Sequence, residues 1–184
     1  MATPAPKRMT LAEFLEWDDG TDTIYELIDG QAVAMAPPRD AHGTIVMNLG
    51  LAIGPGLQPP CRIVGNAGIT RPERADSFYV ADLVVTCDQP ADQRFFLPEP
   101  RLIVEVLSRS TAAHDRGRKG EEYRRIPSVP EILFVFSDEK RLELWRREGE
   151  RWVIEDHIGE ATVRLESLKI DLPLSAIYAS IALD

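Results

Sequence analysis

The chain has 184 residues, 44% hydrophobic and 28% charged, which is ordinary for one globular domain with a substantial core. A net charge of −9, with a pI near 4.9, argues against a protein that coats nucleic acid nonspecifically, since phosphate affinity needs basic groups. No apolar run approaches the ~20 residues needed to span a bilayer. Met1 to Arg8 lacks the apolar stretch of a signal peptide and is expected to be a disordered leader ahead of one domain over residues 9–184. Cys61 and Cys87 form no CxxC pair and have no histidine cluster nearby, so neither a disulfide framework nor a zinc site is expected, and a reducing cytoplasm is the expected location.

In chain order, Thr10 and Glu13 make a capping box for a short amphipathic helix through Leu11, Phe14 and Leu15, ending near Gly20. Ile24 to Ile28 and Gln31 to Met35 flank Asp29-Gly30, the signature of a type I′ hairpin. Ala41 to Leu51 carries apolar residues at helical spacing and is stopped by Gly54-Pro55-Gly56. Arg62 to Ile69, Phe78 to Thr86 and Leu102 to Leu107 predict strands. The last two are apolar on both faces, as central strands are. Ser110 or Thr111 is the expected cap of a helix running to about Arg125, which Pro127 and Pro130 forbid from continuing. Glu131 to Ser137, Arg141 to Arg147 and Arg151 to His157 read as a meander, the last two as outer strands. A helix from Leu174 to Ile181 follows. The sum is an α/β (α+β) domain, a mixed sheet flanked by helices.

Three acids break this pattern. Asp82 and Glu105 sit in the two most apolar strands, and Glu26 shares a strand face with Ile24 and Ile28. An ionised carboxylate buried without a partner costs several kcal/mol, so each is paired, protonated or bound to a cation. One reading is an ion pair inside the sheet, with Arg62, Arg101 or Lys119 as counter-charge. The other is a divalent cation such as Mg2+, which relieves the repulsion of two neighbouring carboxylates, with the Val106 carbonyl as a third oxygen. Asp115, Lys119 and Tyr123 follow at i, i+4 spacing on one helix face. Lys119 is then either a surface partner of Asp115 or an ammonium aimed at the carboxylates. His42 reads as a capping or surface residue. Residues 101–126 hold seven basic and four acidic side chains, a local +3 on an acidic body. No GxSxG elbow, P-loop or dinucleotide fingerprint is present.

Tyr25-Glu26-Leu27-Ile28-Asp29-Gly30, Met35-Ala36-Pro37, His42, Ala81-Asp82-Leu83-Val84-Val85 and Val104-Glu105-Val106-Leu107-Ser108 together resemble the Uma-type restriction endonuclease family, within the PD-(D/E)XK nuclease superfamily. The likeness continues through Asp115-Arg116, Lys119, Tyr123 and Ile126-Pro127 to Ile177-Tyr178. It implies a restriction-endonuclease-like fold and a Mg2+- or Mn2+-dependent endonuclease acting on nucleic acid, most readily DNA. It also implies catalytic roles for Glu26, Asp82, Glu105 and Lys119, with metal on Asp82, Glu105 and Val106. Leu107 stands where the superfamily motif carries lysine, which makes Lys119 the implied replacement. Arg116 and Arg118 are the expected phosphate contacts, and cutting both strands of a duplex implies a homodimer. The rival expectation is a noncatalytic module of the same fold that binds nucleic acid or protein.

Overall fold

A computed structural model describes residues 8–71, 73–108, 112 and 115–183. The expected leader falls largely outside them, although Arg8 itself donates to the Asp29 carbonyl at 2.7 Å. Helix α1 (Leu11–Glu16) is closed by the expected reciprocal box, with Glu13 N–H on Thr10 Oγ1 and Thr10 N–H on Glu13 Oε2. Strands β1 (Tyr25–Ile28) and β2 (Gln31–Ala34) meet at Asp29 and Gly30, whose φ values of 49° and 79° are both positive, as a type I′ turn requires. Reciprocal 2.8 Å backbone bonds between Leu27 and Phe78 clip this hairpin to the next strand system.

Helix α2 (Asp40–Ile53) runs into a 3-10 turn at Gly54–Gly56. Six strands then form the main sheet in the order β3 (Arg62–Ile69), β4 (Tyr79–Thr86), β5 (Pro100–Leu107), β6 (Glu131–Phe136), β7 (Arg141–Glu148) and β8 (Arg151–Ile158). Every neighbouring pair is antiparallel except β5 with β6. A parallel pair needs a long crossover, and here it contains a π-helical turn, Asp115–Lys119, leading into α3 (Gly120–Arg124). The expected cap, Ser110 or Thr111, lies outside the described residues. A short hairpin, β9 (Thr162–Leu165) and β10 (Ile170–Pro173), precedes α4 (Leu174–Ile177).

Both faces of the sheet are covered. Ile45, Leu49 and Ile53 of α2 pack with Leu83, Val85, Val104 and Val106, and the β9–β10 hairpin and α4 join this layer. On the opposite face Tyr123 of α3 packs with Ile103, Leu107, Phe134 and Trp145. Gly120 makes this approach feasible, because a Cβ there would lie 2.9 Å from the Trp145 ring.

One irregularity positions the site. Tyr79 and Ala81 belong to the α3 layer, but Leu83 and Val85 belong to the α2 layer, so β4 turns over at Asp82. The partner strand does the same. Ile63 packs with the α2 layer and Ala67 with the other, and Asn66 between them has a φ of 49°.

Four expectations need correction. Cys61 and Cys87 are not two free thiols but a disulfide, S–S 2.01 Å. They flank the terminal Arg62–Thr86 pair of β3 and β4, a cross-strand proximity that a count of cysteines does not reveal. Strand β7 is not an outer strand, for Leu142 to Trp145 are buried and β8 forms the edge. The β9–β10 hairpin was not expected, and the last helix is one turn, ending at Ile177. Among the described residues no helix is long and apolar enough to cross a membrane.

Candidate functional site

The three acids singled out by burial, and Lys119, converge where β4 turns over. The β4–β5 register pairs Leu83 with Val104, the residues adjoining Asp82 on one strand and Glu105 on the other. Asp82 Oδ2 accepts the Val106 N–H at 2.7 Å, and its Oδ1 lies 3.0 Å from His42 Nε2. Glu105 Oε1 accepts the Tyr123 hydroxyl at 2.5 Å and the Lys119 ammonium at 3.2 Å. Lys119 Nζ is also 2.9 Å from Glu26 Oε1, 3.3 Å from the Val80 carbonyl and 4.0 Å from Asp115 Oδ1. Glu26 is held in turn by the Val80 N–H at 2.9 Å. Glu26, Glu105 and Lys119 are each at most 6% exposed, so these are interior charges rather than surface pairs.

The backbone explains the meeting. The hairpin turn delivers Glu26 to β4, and the π turn sets consecutive side chains on it, Arg118 on Asp29 and Lys119 on Glu26. One helical turn further, Tyr123 descends on Glu105, as the i, i+4 spacing predicts. π turns recur at functional sites because they re-aim side chains within a helix.

The cluster is short of positive charge. Burial, with Asp82 adding to it, pushes the Glu105 carboxyl up to about 8 against the pull of Lys119. Desolvation pulls the Lys119 ammonium down, but Glu105, Glu26 and Asp115 outweigh it and hold the group charged. Burial and then the Glu105 charge lift the Tyr123 hydroxyl well above its usual range, which keeps it a donor. His42 is raised by its bond to Asp82 against partial desolvation, with a further bond to the Val106 backbone.

His42 is the residue that sequence reasoning missed. It is neither a cap nor a surface group, since α2 begins at Asp40 with Arg39 as its N-cap. The signal was present: His42 precedes Ile45, Leu49 and Ile53 on one helical stripe, and those three are fully buried. Of the alternative counter-charges, Arg62 is spent on Asp88, at 2.6 Å to its carbonyl, and Arg101 is exposed. The expected phosphate contacts are also engaged. Arg116 Nε lies 2.7 Å from the buried Glu143, and Arg118 bonds Asp29 with Tyr79 Oη at 3.5 Å.

Among the described residues no three His, Cys, Asp or Glu side chains form a ready metal cage. The donor chemistry nevertheless fits a hard divalent cation. Two carboxylates on adjacent strands would supply oxygen ligands, and burial, with Asp82 adding to it, drives one of them, Glu105, toward protonation. Magnesium needs only one or two such carboxylates, completing its shell with water and substrate phosphate.

A mixed six-stranded sheet between helical layers, in one domain, is the nuclease-like fold. The family model Uma2, described as "putative restriction endonuclease", matches residues 11–176, and the chain belongs to that family. Two uncharacterized proteins of Synechocystis are related along nearly their whole length. Slr1290 is 29% identical, covering 98% of this chain and 96% of its own, and sll1609 is 27% identical, covering 92% and 99%. The crystal structure of a "putative nuclease" from Anabaena variabilis superposes with a TM-score of 0.71 over 93% of this chain and 98% of that one, at 18% identity.

Proposed function

We propose that this chain is a Mg2+- or Mn2+-dependent endonuclease that hydrolyses phosphodiester bonds of DNA. The observation that carries the reading is Lys119, an interior ammonium 2.9 Å from Glu26 and 3.2 Å from Glu105, with Asp82 on the adjacent strand. Asp82 and Glu105 are the residues that would hold the metal. When bound, such an ion polarises the phosphate and lowers the pKa of water on it. Lys119 stabilises the negative charge that grows on the phosphoryl oxygens as water adds to phosphorus and the ester P–O bond breaks. Glu26 holds the ammonium at that position. His42 and the Val106 N–H fix both oxygens of Asp82, so its orientation does not depend on substrate.

A second reading, a noncatalytic nuclease-fold module, is favoured by Arg116 and Arg118 being committed to Glu143 and Asp29. Purified chain is incubated with supercoiled plasmid in Mn2+, in Mg2+ and in chelator, beside Asp82→Asn and Glu105→Gln. Nicking that needs metal and both acids supports the enzyme. Wild-type chain that takes up no Mn2+ by calorimetry and leaves DNA intact supports the module.

A further inference from the structure

The main sheet ends at β8, and nothing described pairs with the outer edge of that strand. Natural edge strands are blunted by charged side chains, lysine above all, by proline, bulges or extreme shortness, because unpaired backbone groups template another strand. Strand β8 carries charges of both signs, at Arg151, Glu155 and Asp156, but none of the other devices. It is eight residues long, without lysine or proline, and in unbroken register with β7 from Arg151 to Ile158. It also exposes apolar side chains, with Val153 at 37%, Ile154 at 49% and Ile158 at 66%.

The backbone phase adds a constraint. Gly159 N–H donates to the Lys140 carbonyl at 2.9 Å. Antiparallel alternation therefore commits the odd residues of β8 to β7 and turns the N–H and C=O groups of Trp152, Ile154 and Asp156 outward. A two-fold axis through Val153, normal to the sheet, aligns those outward groups with their copies. Trp152 then faces Ile154 of the second chain twice, and Val153 faces its own copy. Arg151, which has no ion pair among the described residues, faces Glu155 twice, and Glu155, already 2.5 Å from Arg146, takes it as a second cationic neighbour. Trp152 already packs against the α3-side core, so the pairing extends that apolar layer across the axis. One contact opposes it, Glu150 against Asp156, and Arg141 already neutralises Asp156 at 2.8 Å.

We infer that β8 is the homodimer interface: a second copy of this chain adds antiparallel to it, with the two-fold at Val153, joining two six-stranded sheets into one. The inference does not depend on the nuclease reading, because its readout is association rather than cleavage. The test is sedimentation equilibrium of the full chain across micromolar concentrations, with amide hydrogen exchange on the same samples. Wild type is expected to dimerise, and Arg151→Glu to weaken association by about tenfold, since two attractive pairs become repulsive. Arg151→Glu with Glu155→Gln recovers part of it, because the repulsive pairs become neutral while position 155 keeps an acceptor for Arg146. Amides of Trp152 and Ile154 gain protection as concentration rises, while those of Val153 and Glu155, bonded to β7, stay protected at any dilution. A wild-type chain that remains monomeric overturns the proposal. So does a dimer indifferent to Arg151→Glu, or one in which Trp152 and Ile154 amides exchange freely; in either case the chains meet elsewhere.

Discussion

Replacing Lys119 by methionine keeps the length and packing of the side chain and removes only its charge. The ammonium is 4% exposed and lies within 3.2 Å of both Glu26 and Glu105, so its loss strands two interior carboxylates. Breaking a buried pair from one side costs about 3–5 kcal/mol, whereas an exposed pair is worth under ~1 kcal/mol. The lower end applies here. Burial already raises Glu105 toward the protonated form, so losing Lys119 leaves Glu26 as the main stranded charge, and Glu26 keeps the Val80 N–H. Urea unfolding in chelator at neutral pH is therefore expected to show Lys119→Met destabilised by about 3 kcal/mol. Millimolar Mn2+ should recover part of that loss, because a divalent cation replaces the missing charge, and it should raise the variant's melting temperature more than the wild type's. Single-turnover cleavage should fall about 10²–10³-fold even where the variant is fully folded. A loss below ~1 kcal/mol would refute the placement of Lys119 as the interior counter-charge. Wild-type cleavage rates would remove it from the chemistry.

Asp82→Asn preserves an acceptor for the Val106 N–H and removes like-charge repulsion on Glu105, so its melting temperature in chelator should equal or exceed wild type while Mn2+ uptake disappears; an unfolded variant would make Asp82 a structural partner instead. His42→Ala leaves Asp82 with one of its two anchors, and turnover should drop about 10–100-fold with folding intact, measured by single-turnover kinetics beside circular dichroism; an unchanged rate would return His42 to a packing role. Asp29 is held below the usual carboxylate range by its bonds to Arg118 and Arg74. Its stabilisation is thus present above the unfolded value and lost as pH falls through the lower folded one. Asp29→Asn should be less stable at neutral pH and show a shallower acid limb in thermal melts, and a limb identical to wild type would contradict that ion pair.

What sequence could show was whatever leaves a mark on neighbouring residues. Asp29-Gly30 announces its turn because few residues accept two positive φ values, and the strands holding Asp82 and Glu105 announce their central place by apolarity on both faces. Charge accounting required a partner for each buried acid but left Lys119 open between Asp115 and the carboxylates; only the family resemblance implied that Glu26, Asp82, Glu105 and Lys119 form one set. The Cys61–Cys87 bond was not legible, because it depends on which strand ends lie side by side. The β9–β10 hairpin was missed because Val163 with Leu165 and Ile170 with Leu172 give only two apolar positions per strand, too few to separate alternation from chance. The π turn is hidden in Asp115 to Lys119, a polar stretch with a glycine and no apolar period of its own.

The turning-over of β4 at Asp82 makes the sheet permeable to mechanical disturbance at one point. Elsewhere the two helical layers are insulated from each other by six strands, and a cavity in one is absorbed there. At Asp82 the insulation ends, since His42 reaches the carboxylate from the α2 layer while Glu105, Lys119 and Tyr123 belong to the other. Lesions of equal thermodynamic severity should therefore leave different fingerprints. Truncating Leu49 should tilt α2 and drag Asp82 Oδ1 through His42, leaving the ammonium in register. Truncating Val129 or Ile126 slackens α3 and displaces the ammonium while Asp82 stays aimed. The two halves of the site fail independently, each reporting on the packing of its own layer.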